Sequence, residues 1–178
     1  MLSKLSSLDT LAFTSQAEKL SGQCSVTLFE RAIAGHPSQD DDQLINWQLQ
    51  GETDAAGHRL LHLHLDGAVR LVCQRCLETF LYPVQAENSF LVVDNESELA
   101  IGEDDPDAIE RVLASSRFDG FELLEDELIL SLPYVPRHEQ CPNLPEALQD
   151  DGTQSAQEVA PKRKNPFKVL KQLKKDQD

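Results

Sequence analysis

Apolar and polar residues alternate from residue 44 to residue 94, and apolar residues recur at helical spacing on either side of that stretch. "LINWQLQGE" sets Ile45, Trp47 and Leu49 against polar neighbours, and "DAAGH" supplies a turn. "RLLHLHLDG" then places Leu61, Leu63 and Leu65 opposite Leu60, His62 and His64. "AVRLVC" and "TFLYPVQAENSFLVV" continue the alternation, joined through a cysteine turn. The pattern predicts an antiparallel β meander, either open or barrel-like.

Residues 9–20 carry Leu11, Ala12, Phe13, Ala17 and Leu20 at roughly helical spacing behind a capping Asp9, which predicts a short helix. "CSVTLFERAI" fits either period, and "HPSQDDDQ" breaks it in both cases. "DAIERVLASSRFDG" has room for one further strand. The clearest helix follows Asp119, with Glu122 in capping-box position and Phe121, Leu124, Leu128 and Leu132 on one face, and Pro133 ends it. The fold class expected is α+β, a meander packed with a few helices.

Beyond "PYVPRHEQC" the composition turns polar and rich in Pro, Gln and Asp, as in a disordered linker. "KNPFKVLKQLKK" then recovers a helical pattern: Asn165 can cap, Pro166 suits the first turn, and Phe167, Leu170 and Leu173 recur beside lysines. A helix this short is marginal alone and is expected to order on a partner. The organisation expected is one domain over 1–141, a flexible linker over 142–164 and a basic amphipathic tail over 165–178. At 178 residues a single core is the default.

Charge sharpens that division. The net charge is −15, yet residues 161–178 hold seven Lys or Arg against two Asp, leaving −20 on the rest. A body so acidic repels polyanions, so any contact with nucleic acid has to pass through local cations. Residues 94–107 contain seven carboxylates without the calcium-loop spacing and are expected to be a solvated loop. The N-terminus lacks an apolar signal and no stretch is long enough to span a membrane, so the chain is expected to be soluble and cytoplasmic. Four cysteines in such a chain point to thiols or ligands ahead of a disulfide framework.

The Cys-x-x-Cys of "LVCQRCLETF" admits three readings. Gln74 and Arg75 can form a hairpin turn around two packed thiols, and this reading leads. Cys73 and Cys76 can also converge with the equally spaced His138 and Cys141 of "HEQC" on one zinc ion, since thiolate and imidazole suit a tetrahedral site. A redox pair comes last, because the motif lies between strands and not at a helix N-terminus. His62 and His64 alternate along a strand, which marks the solvent side more often than a metal pair. No Ser-His-Asp, phosphate-loop, dinucleotide or paired-carboxylate arrangement emerges, so the sequence gives no warrant for an enzyme.

Taken in order, "LVCQRCLETF", "EDELILSLPYVPRH" with Cys141 shortly after, and the terminal "KNPFKVLKQLKK" resemble the large ribosomal RNA subunit accumulation protein YceD family, over roughly residues 44–175. The resemblance implies a non-enzymatic factor that supports synthesis, processing or accumulation of large-subunit ribosomal RNA and associates with that RNA, its precursor or early assembly particles. It marks Cys73, Arg75, Cys76, Glu125, Asp126, Glu127, Pro133, Asn165, Pro166 and Phe167. Members in other lineages carry further cysteines near the C-terminal end, where this chain has only Cys141. The residues expected to touch RNA or a partner are Arg70, Arg75, Lys162, Arg163, Lys164, Asn165, Pro166, Phe167, Lys168, Lys171, Lys174 and Lys175. An alternative is an acidic adaptor, with Glu122, Glu125, Asp126 and Glu127 facing a basic ribosomal protein.

Overall fold

A computed structural model of the chain describes residues 2–100 and 108–143; the expected linker, from residue 144 on, and the tail lie outside the described residues. The alternating stretch forms the expected meander. Strands β1 (Lys19–Ser25), β2 (Leu44–Thr53), β3 (Arg59–Val72) and β4 (Thr79–Val93) pair antiparallel in chain order. β5 (Glu110–Leu113) joins β4 in parallel. Ile45, Trp47, Leu49, Leu61, Leu63, Leu65, Val69 and Leu71 all point to one face and are buried, as the period-two pattern requires.

The sheet stays open and does not close into a barrel. β5 spans only four residues and covers β4 from Phe90 to Val93, so the rest of that edge has no neighbour among the described residues. That free stretch carries Pro83, Gln85 and Glu87, residues that suit an edge. The other face of the sheet is polar. His62 there hydrogen-bonds Ser89 Oγ through Nδ1 at 2.8 Å and Glu52 through Nε2 at 3.1 Å, and His64 lies against Glu87 and Asp66. Each imidazole has its own partners on the solvent side.

Helices cover the apolar face. α1 (Leu2–Leu5) is followed by α2 (Thr10–Ser15), where the Asp9 carboxylate accepts from the amides of Leu11 and Ala12. The helix expected over 9–20 stops early because Ala17 takes a left-handed backbone (φ 50°), after which Leu20 and Cys24 follow a strand's period. A 3₁₀ turn (Val26–Leu28) and α3 (Glu30–Ile33) resolve the ambiguous segment. A short α4 (Glu96–Leu99) precedes β5. No helix among the described residues is long and apolar enough to cross a membrane.

α5 (Gly120–Ser131) is capped by Asp119, which accepts from the amides of Phe121 and Glu122 at 2.9 and 3.1 Å. The acidic outer face expected of this helix is divided. Glu122 and Asp126 are exposed, but Glu125 and Glu127 are buried, because α3 packs on one flank of the helix and β4 on another. Glu125 accepts from Arg31 twice, from the main-chain N–H at 2.8 Å and from Nε at 2.6 Å, while Asp126 pairs with the same guanidinium at 2.9 Å. Stacked Phe29 and Phe121 rings, 4.9 Å apart, seal that junction. Glu127 accepts from the Asn88 amide at 3.0 Å.

Candidate metal centre

β3 and β4 run in register to Val72↔Thr79, which brings residues 73–78 into one tight hairpin end. Within it Cys73 N–H donates to Glu78 O and Leu77 N–H to Cys73 O, both at 2.9 Å. Leu77 pays for this curl with a left-handed backbone (φ 62°), a conformation costing a β-carbon-bearing residue roughly 1–2 kcal/mol. Strain of this kind collects where something other than packing holds the chain.

The second half of the site arrives from α5. Pro133 and Pro136 turn the chain after the helix, and Pro136 O accepts from Gln74 N–H at 2.8 Å, bridging the segment to the hairpin. Asn143 Nδ2 donates to Glu78 Oε1 at 2.7 Å further on. The His138 ring then packs on Phe80 with centroids 4.5 Å apart.

Cys73, Cys76, His138 and Cys141 thereby converge, with one ligand atom from each within 4.8 Å of all the others. Cys73 Sγ lies 3.6 Å from Cys141 Sγ, and Cys76 Sγ lies 3.3 Å from His138 Nδ1, which is 3.9 Å from Cys141 Sγ. A tetrahedron with zinc–sulfur bonds of about 2.3 Å has edges of about 3.7 Å. The donor set and its edges therefore fit one tetrahedral zinc. Leu77 and the hairpin contacts also satisfy the turn reading, so turn and ligand site are the same structure. The Cys73–Cys141 sulfur separation exceeds a disulfide bond, and Cys73 is fully buried while Cys76 and Cys141 are partly exposed.

The electrostatics follow from crowding. Burial pushes the Cys73 thiol up, but the amides of Cys76, His138 and Arg75 together with the His138 ring outweigh it and hold the group at about 5. Cys76 moves the other way, raised by burial and then by its neighbours Cys141 and Cys73. Charge on one sulfur of the cluster thus opposes charge on the next. A dication resolves that conflict. Cys24, alone in the core, is raised by burial only.

The remaining expected site residues are placed as follows. Arg75 lies on the cluster, Nε 3.0 Å from Cys141 Sγ and Nη2 3.4 Å from His138 O, and its pKa is raised first by that sulfur contact. Arg70 pairs instead with Asp40 and donates to Ser38 O at 3.2 Å, so its charge is already matched. Glu122, Glu125, Asp126 and Glu127 lie on α5 as described above. Residues 162–175 fall outside the described residues. Phe80 and Arg31, which position His138 and Glu125, carried no spacing signal that would single them out.

Comparison with known proteins bears on the family and not on the metal. The model of the family "Large ribosomal RNA subunit accumulation protein YceD" matches residues 61–174, more than half of the chain. A relative of that name from Haemophilus influenzae is 34% identical over 111 residues, which span 60% of this chain and 60% of that protein. No solved structure matches the chain. The matched span takes in the cysteine hairpin, α5 with the PYVPRH segment and most of the basic tail, and on this ground the chain belongs to the large ribosomal RNA subunit accumulation protein YceD family.

Proposed function

We propose that the chain is a non-enzymatic factor supporting the synthesis, processing or accumulation of large-subunit ribosomal RNA in the cytoplasm. It binds that RNA or its early particles through the basic tail. The observation that carries this reading is the extent of the family match, which runs from residue 61 in β3 through the cysteine hairpin into the tail and stops at residue 174. The relative's name speaks of large ribosomal RNA subunit accumulation, and charge supports the division of labour. Seven cations in residues 161–178 can meet phosphates that the acidic remainder repels.

The Cys3His cluster takes one zinc as a structural clamp. Four protein donors complete a tetrahedron and leave no open position for a reacting water, which is the mark of a structural site. The ion ties the segment after α5 to the end of the β3–β4 hairpin.

The RNA reading is tested by changing Lys168, Lys171, Lys174 and Lys175 together to Ala in the full chain. Co-sedimentation with immature large particles should be lost. The slope of log affinity against log salt on a large-subunit RNA fragment should fall by roughly 0.7–0.9 for each phosphate contact removed. Unchanged sedimentation and an unchanged slope would remove the tail from the account.

A further inference from the structure

A groove of about 390 Å³ opens between β5 and α5, with Phe90, Val112 and Leu123 among its apolar walls. It lies at the terminal strand of the sheet. α5 buries Leu123, Leu124 and Leu128, yet leaves Leu130 at the groove 71% exposed and Ile129 38% exposed. A helix that hides its other leucines so thoroughly has no packing reason of its own to present these two.

The groove also holds an unneutralised charge. Glu127 is only 7% exposed, and its hydrogen-bond partner is the neutral Asn88 amide at 3.0 Å. Glu110 beside it meets that same amide at 3.4 Å. Arg111 lies in the same wall but forms no ion pair with either; its Nη1 donates to Glu98 O at 2.9 Å. A buried carboxylate without a cation is costly, and a lysine or arginine brought by a partner offsets that cost.

We propose that this groove docks a cationic amphipathic segment of a partner protein, with apolar side chains on Val112, Leu123 and Leu130 and a Lys or Arg at Glu127 and Glu110. Charge disfavours two other occupants. RNA would bring phosphates onto carboxylates, and a second folded copy would bring its own acidic surface. The inference is independent of the tail and of the zinc clamp.

The test uses the full chain, methyl-labelled for NMR, and a short synthetic peptide of Leu, Lys and Gln with its leucines at helical spacing. The peptide should shift the methyls of Val112, Leu123, Ile129 and Leu130. Leu130→Ser, on the surface, and Glu127→Gln, which keeps the Asn88 bond, should each weaken it about tenfold or more. A control peptide with Ser for Leu should leave those methyls in place. The proposal is overturned if the control binds equally well, if both variants bind as the parent does, or if a single-stranded oligonucleotide moves the same methyls.

Discussion

Cys73→Ser is expected to strip zinc from the chain and to free residues 133–143 from the hairpin while the sheet stays folded. A serine hydroxyl does not ionise near neutral pH and is a poor zinc ligand, so three donors remain where four converged. Pro136 is the segment's only buried residue, and besides its contacts with the cysteine sulfurs its ties to the hairpin are the Gln74–Pro136, Asn143–Glu78 and Arg75–His138 bonds and the Phe80–His138 contact. The apolar cluster of the sheet and α5 does not include Cys73, so it has no direct part in the loss.

The effect is therefore local and large. With zinc at about 1,000 times its Kd, the clamp contributes about 4 kcal/mol to the closed form. Hydrogen exchange at Gln74 N–H should accelerate about 1,000-fold in Cys73→Ser, or on chelation, while amides at the centre of β3 keep their protection. Metal analysis should find about one zinc per chain in protein purified without chelator, and little in the variant. Cys24→Ser is the control, since that thiol lies in the core away from the cluster. Metal-free parent protein, or a Cys73→Ser chain that retains its zinc, would refute the clamp.

The sequence exposed this site halfway. Cys73 and Cys76, and His138 and Cys141, share one spacing, and thiolate with imidazole names the metal class. What spacing cannot reveal is that two pairs 62 to 68 residues apart meet, because that depends on α5 crossing the sheet and on the turn through Pro133 and Pro136. Local period carried the meander for a similar reason: Leu61, Leu63 and Leu65 bury on one side whatever the neighbours are. It could not give the direction of β5, whose parallel pairing is a tertiary fact. Nor could it separate Lys19–Ser25 from a helix tail, since only Leu20 and Cys24 mark the strand there.

The acidic face failed on arc width. Leu124 and Leu128 define one line along α5, but Leu123 on one side and Phe121 on the other widen the arc that meets the core, so Glu127 falls between Leu123 and Leu124, and Glu125 falls beside Phe121. Carboxylates inside that arc then need partners from elsewhere in the chain. Arg31 supplies one for Glu125 from 94 residues away, a pairing no local pattern encodes.

Gly51→Ala is expected to destabilise the fold by about 3 kcal/mol, a fall of roughly 6–12 °C in Tm for a domain of this size. Gly51 lies in β2 under α2, donating its N–H to Glu18 O at 2.8 Å. A β-carbon there would stand 2.4 Å from Phe13 O and 2.8 Å from Phe13 C, both main-chain atoms. No rotamer change relieves such a contact. α2 has to lift from the sheet, pulling on the buried Phe13 ring and on the Thr53 hydroxyl that donates to Thr14 O at 3.2 Å. Gly22 is the comparison: its added carbon would meet only the edge of the Trp47 ring at 3.0–3.4 Å, and a side chain can give by a few tenths of an ångström. Gly22→Ala should therefore cost less, on the order of 1 kcal/mol. Denaturant unfolding of both variants decides the matter. Equal losses would mean that α2 yields as readily as an indole, and the close seating of that helix on β2 would not be what restricts residue 51 to glycine.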